Sequence, residues 1–172
     1  MNFKNIKFKE RTFKESIVLF IASGCCAGYI PFAPGTMGSI VALPLPFFFS
    51  GINFYYTVPL ILIFIIFSIL IADYAEKIIK QKDPGLIVID EIAGIIITFV
   101  CIPLNILTII AGFLIFRFFD IFKPFPIRLI EKKIPGGAGI VLDDVAAGIF
   151  SNIVLRIGIF IILYLKNSII NR

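Results

Sequence analysis

Long apolar runs separated by short polar segments dominate this chain. They cover approximately residues 17–30, 40–49, 55–72, 86–103, 106–119 and 145–165. Only the third and the last approach the roughly 20 apolar residues that a membrane-spanning helix needs, and Pro and Gly interrupt several of the others. The pattern predicts an all-α fold: a polytopic integral membrane helical bundle with short helices broken by Pro and Gly.

Most charged residues lie in alternate connections between these runs. Residues 50–58 and 103–108 carry no charge, whereas the N-terminal arm and residues 73–83 and 117–144 carry most of the Lys and Arg. By the positive-inside rule, the three basic connections lie in the cytoplasm. The sequence then predicts two apolar hairpins, residues 40–72 and 86–116, followed by a last helix.

Composition supports a bilayer as the solvent of this chain. Of 172 residues, 59% are hydrophobic and 16% are charged, with a mean hydropathy of +1.05, whereas soluble domains carry roughly 25% charged residues. We predict a basic cytoplasmic or interfacial arm at residues 1–16 and a single membrane-embedded catalytic domain at residues 17–172. The basic residues of the arm are Lys4, Lys7, Lys9, Arg11 and Lys14. Such an arm suits an anionic membrane surface better than nucleic acid.

The scarcity of soft ligands restricts the possible chemistry. The chain contains no His, and its three Cys do not have the spacing of a metal site or of a paired disulfide framework. The His that zinc hydrolases and Ser-His or Cys-His nucleophile systems usually need is therefore absent from this sequence. Any metal must be held by oxygen.

Carboxylates at the ends of apolar runs are the most informative feature. Six of the eleven are so placed: Asp83, Asp90, Glu91, Asp120, Asp143 and Asp144. A single Asp at the centre of a membrane helix costs about 2.5 to 3.5 kcal/mol, so two adjacent acidic pairs require a cation. Carboxylate oxygens favour Mg²⁺ or Mn²⁺, which often bridge protein and substrate phosphate. The alternative is that these acids are solvated helix caps.

Two further segments offer ligands for a phosphate group. If Ser39 begins a helix, its first N–H groups and the Thr36 and Ser39 hydroxyls form a phosphate cradle, with Gly38 allowing close approach; the alternative is a simple turn. Farther along, Arg117, Asp120 and Lys123 repeat every three residues and so share one helix face. That face suits a metal and phosphate site, or an ordinary salt-bridge ladder.

Four segments together resemble the phosphatidylglycerophosphatase A family. In order they read PFAPGTMGS, DPGLIVIDEIAG, FRFFDIFKPFPI and GGAGIVLDDVAAG, and the resemblance extends over about residues 28–148. It implies a Mg²⁺-dependent hydrolase of the bacterial inner membrane that converts phosphatidylglycerophosphate to phosphatidylglycerol and inorganic phosphate during phospholipid biosynthesis. The acids of the family motifs match Asp90, Glu91, Asp120, Asp143 and Asp144.

The resulting hypothesis gives these five carboxylates both catalytic and metal-binding roles, with one or two Mg²⁺. Substrate phosphate is expected to bind Thr36, Gly38, Ser39, Arg117 and Lys123. Water attacks phosphorus, with an Asp nucleophile as the alternative. The expected partners are the phospholipid and the membrane, with no nucleic acid, and the oligomeric state stays open.

Two other functions compete with this hypothesis. A CDP-alcohol phosphotransferase also uses intramembrane acids and a divalent metal, but its DxxDGxxAR signature does not occur in this sequence. A small cation channel or transporter would spread its acids through the depth of the bilayer, whereas these acids map to one side.

Overall fold

A computed structural model describes residues 11–170, and those residues form eight α-helices and no β-strand. The helices are α1 (Phe13–Ala22), α2 (Pro34–Ala42), α3 (Leu45–Ser50), α4 (Phe54–Ile79), α5 (Ile89–Thr98), α6 (Ile106–Phe122), α7 (Ile127–Lys133) and α8 (Gly136–Ile170). A short 3₁₀ turn, Ala27–Tyr29, lies between α1 and α2. The all-α prediction is confirmed for the described residues.

Two helices, α4 and α8, are long and apolar enough to cross a membrane. They contain 26 and 35 residues and are therefore about 39 and 52 Å long. Both coincide with the runs whose length approached that of a span, residues 55–72 and 145–165. In the 18-residue apolar windows of α4 and α8, only 17% and 22% of the residues are buried inside the bundle, as expected for helices surrounded by lipid.

The remaining apolar runs form shorter helices. Of the run at residues 86–103, only the ten residues of α5 are helical, and residues 34–50 divide into α2 and α3 at a break that contains Pro44. The prediction of short, broken helices is confirmed. How the two predicted hairpins sit in a membrane stays a prediction.

The first helix begins earlier than the apolar pattern indicated. Thr12 caps α1 in a capping box with Glu15, so the helix starts at Phe13, inside the arm predicted at residues 1–16. Lys4, Lys7 and Lys9 lie outside the described residues. The proposed division into arm and catalytic domain stays a prediction.

Helix α5 lies at the centre of the bundle, packed against α2, α4, α6 and α8. Eight of its ten residues are buried: Ile89, Asp90, Ile92, Ala93, Gly94, Ile95, Ile96 and Thr98. Its apolar side chains join the main hydrophobic core together with Phe99, Phe116 and Leu155. This packing holds the acidic first turn of α5 in place.

Candidate active site

A cavity of about 580 Å³ opens at the end of the bundle where α5 and α8 begin and α4 and α6 end. Eight carboxylates line it: Glu76, Asp83, Asp90, Glu91, Asp120, Glu131, Asp143 and Asp144. The lining contains three cations, Lys82, Lys123 and Lys132. A phosphate group would be repelled by this excess of negative charge unless a cation entered with it.

Three of the predicted metal ligands converge in this cavity. Asp90 and Glu91 lie in the first turn of α5, Asp144 lies in the third turn of α8, and one oxygen of each lies within 4.8 Å of the others. Each of the three also has a buried oxygen without a hydrogen-bond partner in the described part of the chain: Asp90 Oδ1, Glu91 Oε2 and Asp144 Oδ2. A buried carboxylate oxygen without a partner is costly. The three together fit a hard divalent cation.

Electrostatics at the start of α5 support this fit. Burial and the neighbouring negative charges raise the pKa of Asp90 well above the ordinary value, with Glu91 as the largest charged contributor. Burial and the charge of Asp144 likewise raise the pKa of Glu91. Without a cation the first turn of α5 therefore takes up protons, and a bound divalent cation would favour the ionised forms.

Asp120, a fourth predicted ligand, is occupied by a cation from its own helix. The Arg117 Nη1 atom donates a hydrogen bond to Asp120 Oδ2 across one turn of α6, and both side chains are largely buried. The same Nη1 atom lies 3.3 Å from Ser39 Oγ, whereas Nε is buried without a partner among the described residues. Arg117 and Asp120 therefore share a face of α6, as predicted, and Arg117 keeps an unused donor. Lys123, which was predicted on the same face, lies just beyond the helix as its C-cap, with a positive φ of 42°.

Asp143, the fifth predicted ligand, pairs with Lys123. The Lys123 Nζ atom lies 2.5 Å from Asp143 Oδ2 and 3.6 Å from Glu131 Oε2. Burial opposes the charge of Lys123, but the hydrogen bond with Asp143 and the nearby carboxylates outweigh it and raise the pKa of Lys123 above its ordinary value. Lys123 therefore stays charged beside the cavity at all physiological pH values.

The predicted phosphate cradle differs from the structure. Helix α2 begins at Pro34, so Ser39 lies in its interior, where its hydroxyl donates to the Gly35 carbonyl at 2.8 Å. The expectation that Ser39 begins the helix is wrong, because proline at the first helical position sets the start. Gly38 packs against Val88, where a Cβ would lie 2.6 Å from the Val88 Cβ, and Thr36 is half-buried in the first turn.

Gly35 is the residue of this segment that approaches the acids most closely. A Cβ at Gly35 would lie 2.1 Å from Glu91 Oε1 and 3.5 Å from Arg117 Nη1. Pro34 and Gly35 also line the cavity. Glycine therefore lets the backbone of α2 pass beside the Glu91 carboxylate, and a Cβ at this position would displace that carboxylate.

Several lining residues were absent from the predicted site. Asp83 has a positive φ of 46°, its N–H donates to Glu76 Oε1 at 3.1 Å, and burial raises the pKa of its carboxyl. Glu76 comes from the end of α4, and Glu131 and Lys132 come from α7. Asp83 was noted as an acid at the edge of an apolar run, whereas nothing in the local pattern distinguishes the other three.

Known proteins can now be compared with this arrangement. A sequence profile of the family described as "Phosphatidylglycerophosphatase A" matches residues 20–159. The phosphatidylglycerophosphatase A of Escherichia coli is 35% identical over 132 residues, which are 76% of this chain and 77% of that protein. The protein of the same name from Haemophilus influenzae is 39% identical over 140 residues, 78% of this chain and 84% of the relative.

A third relative carries a different name. It is a candidate phosphatidylinositol-3-phosphatase from Bacteroides thetaiotaomicron, 32% identical over 151 residues, which are 84% of this chain and 94% of the relative. No solved structure matches the fold. The family profile covers all four motifs that border the cavity, and the chain therefore belongs to the phosphatidylglycerophosphatase A family.

Proposed function

We propose that this protein hydrolyses the terminal phosphomonoester of phosphatidylglycerophosphate, giving phosphatidylglycerol and inorganic phosphate. The names of the family and of two relatives support the substrate. The observation that carries the chemistry is the convergence of three buried carboxylates, each with an unpartnered oxygen, in a cavity beside a paired arginine. In the reaction a water oxygen bonds to phosphorus as the bond from phosphorus to the glycerol oxygen breaks.

We assign a Mg²⁺ site to Asp90, Glu91 and Asp144. When bound, Mg²⁺ supplies positive charge that stabilises the phosphate oxygens as negative charge develops on them. Oxygen-only ligands and a cavity with room for waters and a phosphate are what this ion prefers. The requirement for Mg²⁺, rather than another hard divalent cation, is part of the proposal.

Arg117 and Lys123 are assigned to the substrate phosphate. Asp120 holds Arg117 and Asp143 holds Lys123, so both cations are fixed in direction before the substrate binds. Arg117 does not itself line the cavity, and its buried Nε has no partner among the described residues, so contact of the phosphate with this donor is part of the proposal. The sequence also predicted that Asp120 and Asp143 bind the metal directly, and this stays a prediction. For Asp143, the effect of Asp143→Asn on cation affinity distinguishes a metal ligand from a partner of Lys123.

The leading test is phosphate release from purified protein in detergent with a panel of lipid phosphates. Phosphatidylglycerophosphate should be hydrolysed in Mg²⁺, and Asp144→Asn should reduce the rate by at least about a hundredfold because it removes one ligand charge. Glu15→Gln, which changes a carboxylate of α1 far along the chain from the cavity motifs, serves as the control and should keep wild-type activity.

The Bacteroides relative makes phosphatidylinositol 3-phosphate the second substrate in the panel. Faster release from that lipid than from phosphatidylglycerophosphate would overturn the substrate while leaving the phosphatase chemistry intact. No release from any lipid phosphate by folded protein would overturn both.

We further propose that the protein spans the bacterial inner membrane with the cavity facing the cytoplasm. Two long apolar helices and the charge distribution support this orientation. With the three native cysteines replaced by alanine, Ser50→Cys should react with a membrane-impermeant maleimide applied outside intact spheroplasts, whereas Lys133→Cys should react only after lysis. The reverse pattern would contradict the orientation.

A further inference from the structure

One charged residue lies deep in the last apolar helix, far from the cavity. Arg156 is the single Lys, Arg, Asp or Glu within residues 145–165. It is twelve residues beyond Asp144 in α8, which places it about 18 Å away along the helix axis. A charged side chain within an apolar helix of spanning length is costly unless it has polar partners.

The partners of Arg156 are Val100, just past the end of α5, and Asn152, one turn earlier in α8. Arg156 Nη2 donates to the Val100 carbonyl at 2.8 Å, and Arg156 Nε donates to Asn152 Oδ1 at 2.8 Å. The Asn152 amide in turn donates to the carbonyls of Ile97, Thr98 and Val100 at 3.2, 2.9 and 3.0 Å. Carbonyls at the end of a helix lack helical partners, and in an apolar environment they require donors. Asn152 and Arg156 therefore cap α5 from a neighbouring helix.

The cap is one of three contacts that place α5 and α8 in a fixed register. Both helices run away from the cavity, and the contacts recur every four residues along each helix. At the cavity end, the carboxylates of Asp90 and Asp144 lie close together. Four residues farther along each helix, Gly94 and Gly148 are in close contact, since a Cβ at Gly148 would lie only 2.5 Å from the Gly94 oxygen. After four more residues, the Asn152 amide donates to the Thr98 carbonyl. The two helices are therefore matched step by step from the carboxylates to the cap.

This register decides whether the carboxylates can share a cation. The contact at the cavity end joins acids that repel one another when they are ionised. In the glycine contacts, a Cβ at Gly148 would meet the Gly94 oxygen and a Cβ at Gly94 would meet the Asp144 oxygen, so they limit how closely the helices approach but do not by themselves prevent tilt or slip. A slip of one residue would move α5 by about 1.5 Å and turn it by about 100°. The cap, about 12 Å from Asp90, adds directed hydrogen bonds that oppose both the tilt and the slip. It acts at the opposite end of α5 from the Val88 N–H, which donates to the Ala22 carbonyl at 2.9 Å.

We propose that Asn152 and Arg156 are positioning residues for the cation site: by capping α5 they fix its register against α8 and keep Asp90 and Glu91 within reach of Asp144. This proposal rests on the metal site assigned under Proposed function. The cap touches neither substrate nor cation.

The test uses full-length protein in detergent, with Mn²⁺ as a spectroscopic probe of the site. Asn152→Leu and Arg156→Met remove the donors while keeping most of the side-chain volume, and Arg156→Lys restores one donor. Leu155→Ala is the matched control: Leu155 is a buried apolar neighbour in α8 that contacts the α6 side of the bundle near Gly112, and its loss leaves the cap intact. The readouts are Mn²⁺ affinity by electron paramagnetic resonance, hydrogen exchange of α5 amides in EDTA, and thermal stability.

We expect Asn152→Leu and Arg156→Met to weaken Mn²⁺ binding by about tenfold or more, the range seen when groups that orient ligands are removed, with partial recovery in Arg156→Lys. Amides of α5 should exchange faster in both variants. Leu155→Ala should lower thermal stability at least as much, yet keep Mn²⁺ affinity within about twofold of wild type.

Other results would overturn the proposal. Wild-type Mn²⁺ affinity in Asn152→Leu, despite faster exchange of α5, would make the cap purely structural. Equal loss of affinity in Leu155→Ala would show that general destabilisation, not register, governs the site. If the wild-type protein bound no Mn²⁺, both the proposed metal site and the positioning role would be wrong. Hydrogen exchange of α5 would still show whether Asn152 and Arg156 stabilise that helix. Failure of the metal site can therefore be distinguished from failure of the positioning role alone.

Discussion

Substitution of Gly148 tests how tightly α5 and α8 must approach. A Cβ at Gly148 would lie 2.5 Å from the Gly94 carbonyl oxygen, whereas ordinary contacts begin at 3.4 Å. The nearest atoms are backbone, which cannot rotate away as the end of a side chain would. In Gly148→Ala the two helices must therefore separate by about 0.9 Å, the difference between those two distances.

A displacement of this size exceeds what a metal site tolerates. Functional constellations must be held within about 0.5 Å, so we expect Gly148→Ala to weaken Mn²⁺ binding by about tenfold or more and to reduce phosphate release in parallel. Overpacking costs about 1 to 3 kcal/mol, offset by about 1 kcal/mol from replacing a glycine inside a helix. The expected net loss of stability is therefore about 0 to 2 kcal/mol, comparable with the roughly 1.4 kcal/mol that a tenfold loss of cation affinity represents, so stability and affinity must be measured separately.

The same helix contains a matched control. A Cβ at Gly158 would meet no atom within 4 Å, so Gly158→Ala makes the same chemical change in α8 without any clash. We expect unchanged Mn²⁺ affinity and equal or higher thermal stability. If Gly148→Ala bound Mn²⁺ as tightly as Gly158→Ala, close approach of α5 and α8 would not be what holds the carboxylates together, and the reasoning would be refuted.

Three further predictions concern the cavity. Asp143→Asn should raise KM because Lys123 loses its partner, but it should leave Mn²⁺ affinity unchanged. Asp144→Asn should instead lose Mn²⁺ affinity. An equal loss of Mn²⁺ affinity in the two variants would show that Asp143 is also a metal ligand. Gly35→Ala should impair Mn²⁺ binding because its Cβ would lie 2.1 Å from Glu91 Oε1, and wild-type affinity would contradict this contact. In EDTA, thermal stability should fall as the pH rises from about 4, since the folded α5 carboxyls have raised pKa values and hold protons that the unfolded chain releases. Mg²⁺ should reduce this fall, which scanning calorimetry at pH 5 to 8 with and without Mg²⁺ would measure. An equal slope of thermal stability against pH in the two conditions would mean that no cation binds these carboxylates.

Helices with long apolar runs could be predicted from the sequence, and helices fixed by their caps could not. The apolar runs inside α4 and α8 were evident because they are long and contain no acidic residue. The start of α1 depends on the Thr12 and Glu15 capping box, and the start of α2 depends on Pro34. Both are local signals that an apolar pattern does not register, and reading Pro34 as a helix start would have placed Ser39 correctly.

The acids of the site were visible in the sequence, but their division of labour was not. Asp90, Glu91 and Asp144 stand out because acidic pairs interrupt apolar runs. Whether an acid faces a cation site or a basic side chain depends on contacts such as Lys123 with Asp143, which join residues 20 positions apart. The same limit applies to Arg156, whose partner Val100 lies 56 residues away.

The most direct test of the central claim is phosphate release from phosphatidylglycerophosphate as free Mg²⁺ is restored to EDTA-treated, purified protein. We predict no release in EDTA, full recovery in Mg²⁺ for the wild type, and little or no recovery for Asp144→Asn. Release that persists in EDTA, or that Asp144→Asn recovers as fully as the wild type, would contradict a cation site built on these carboxylates.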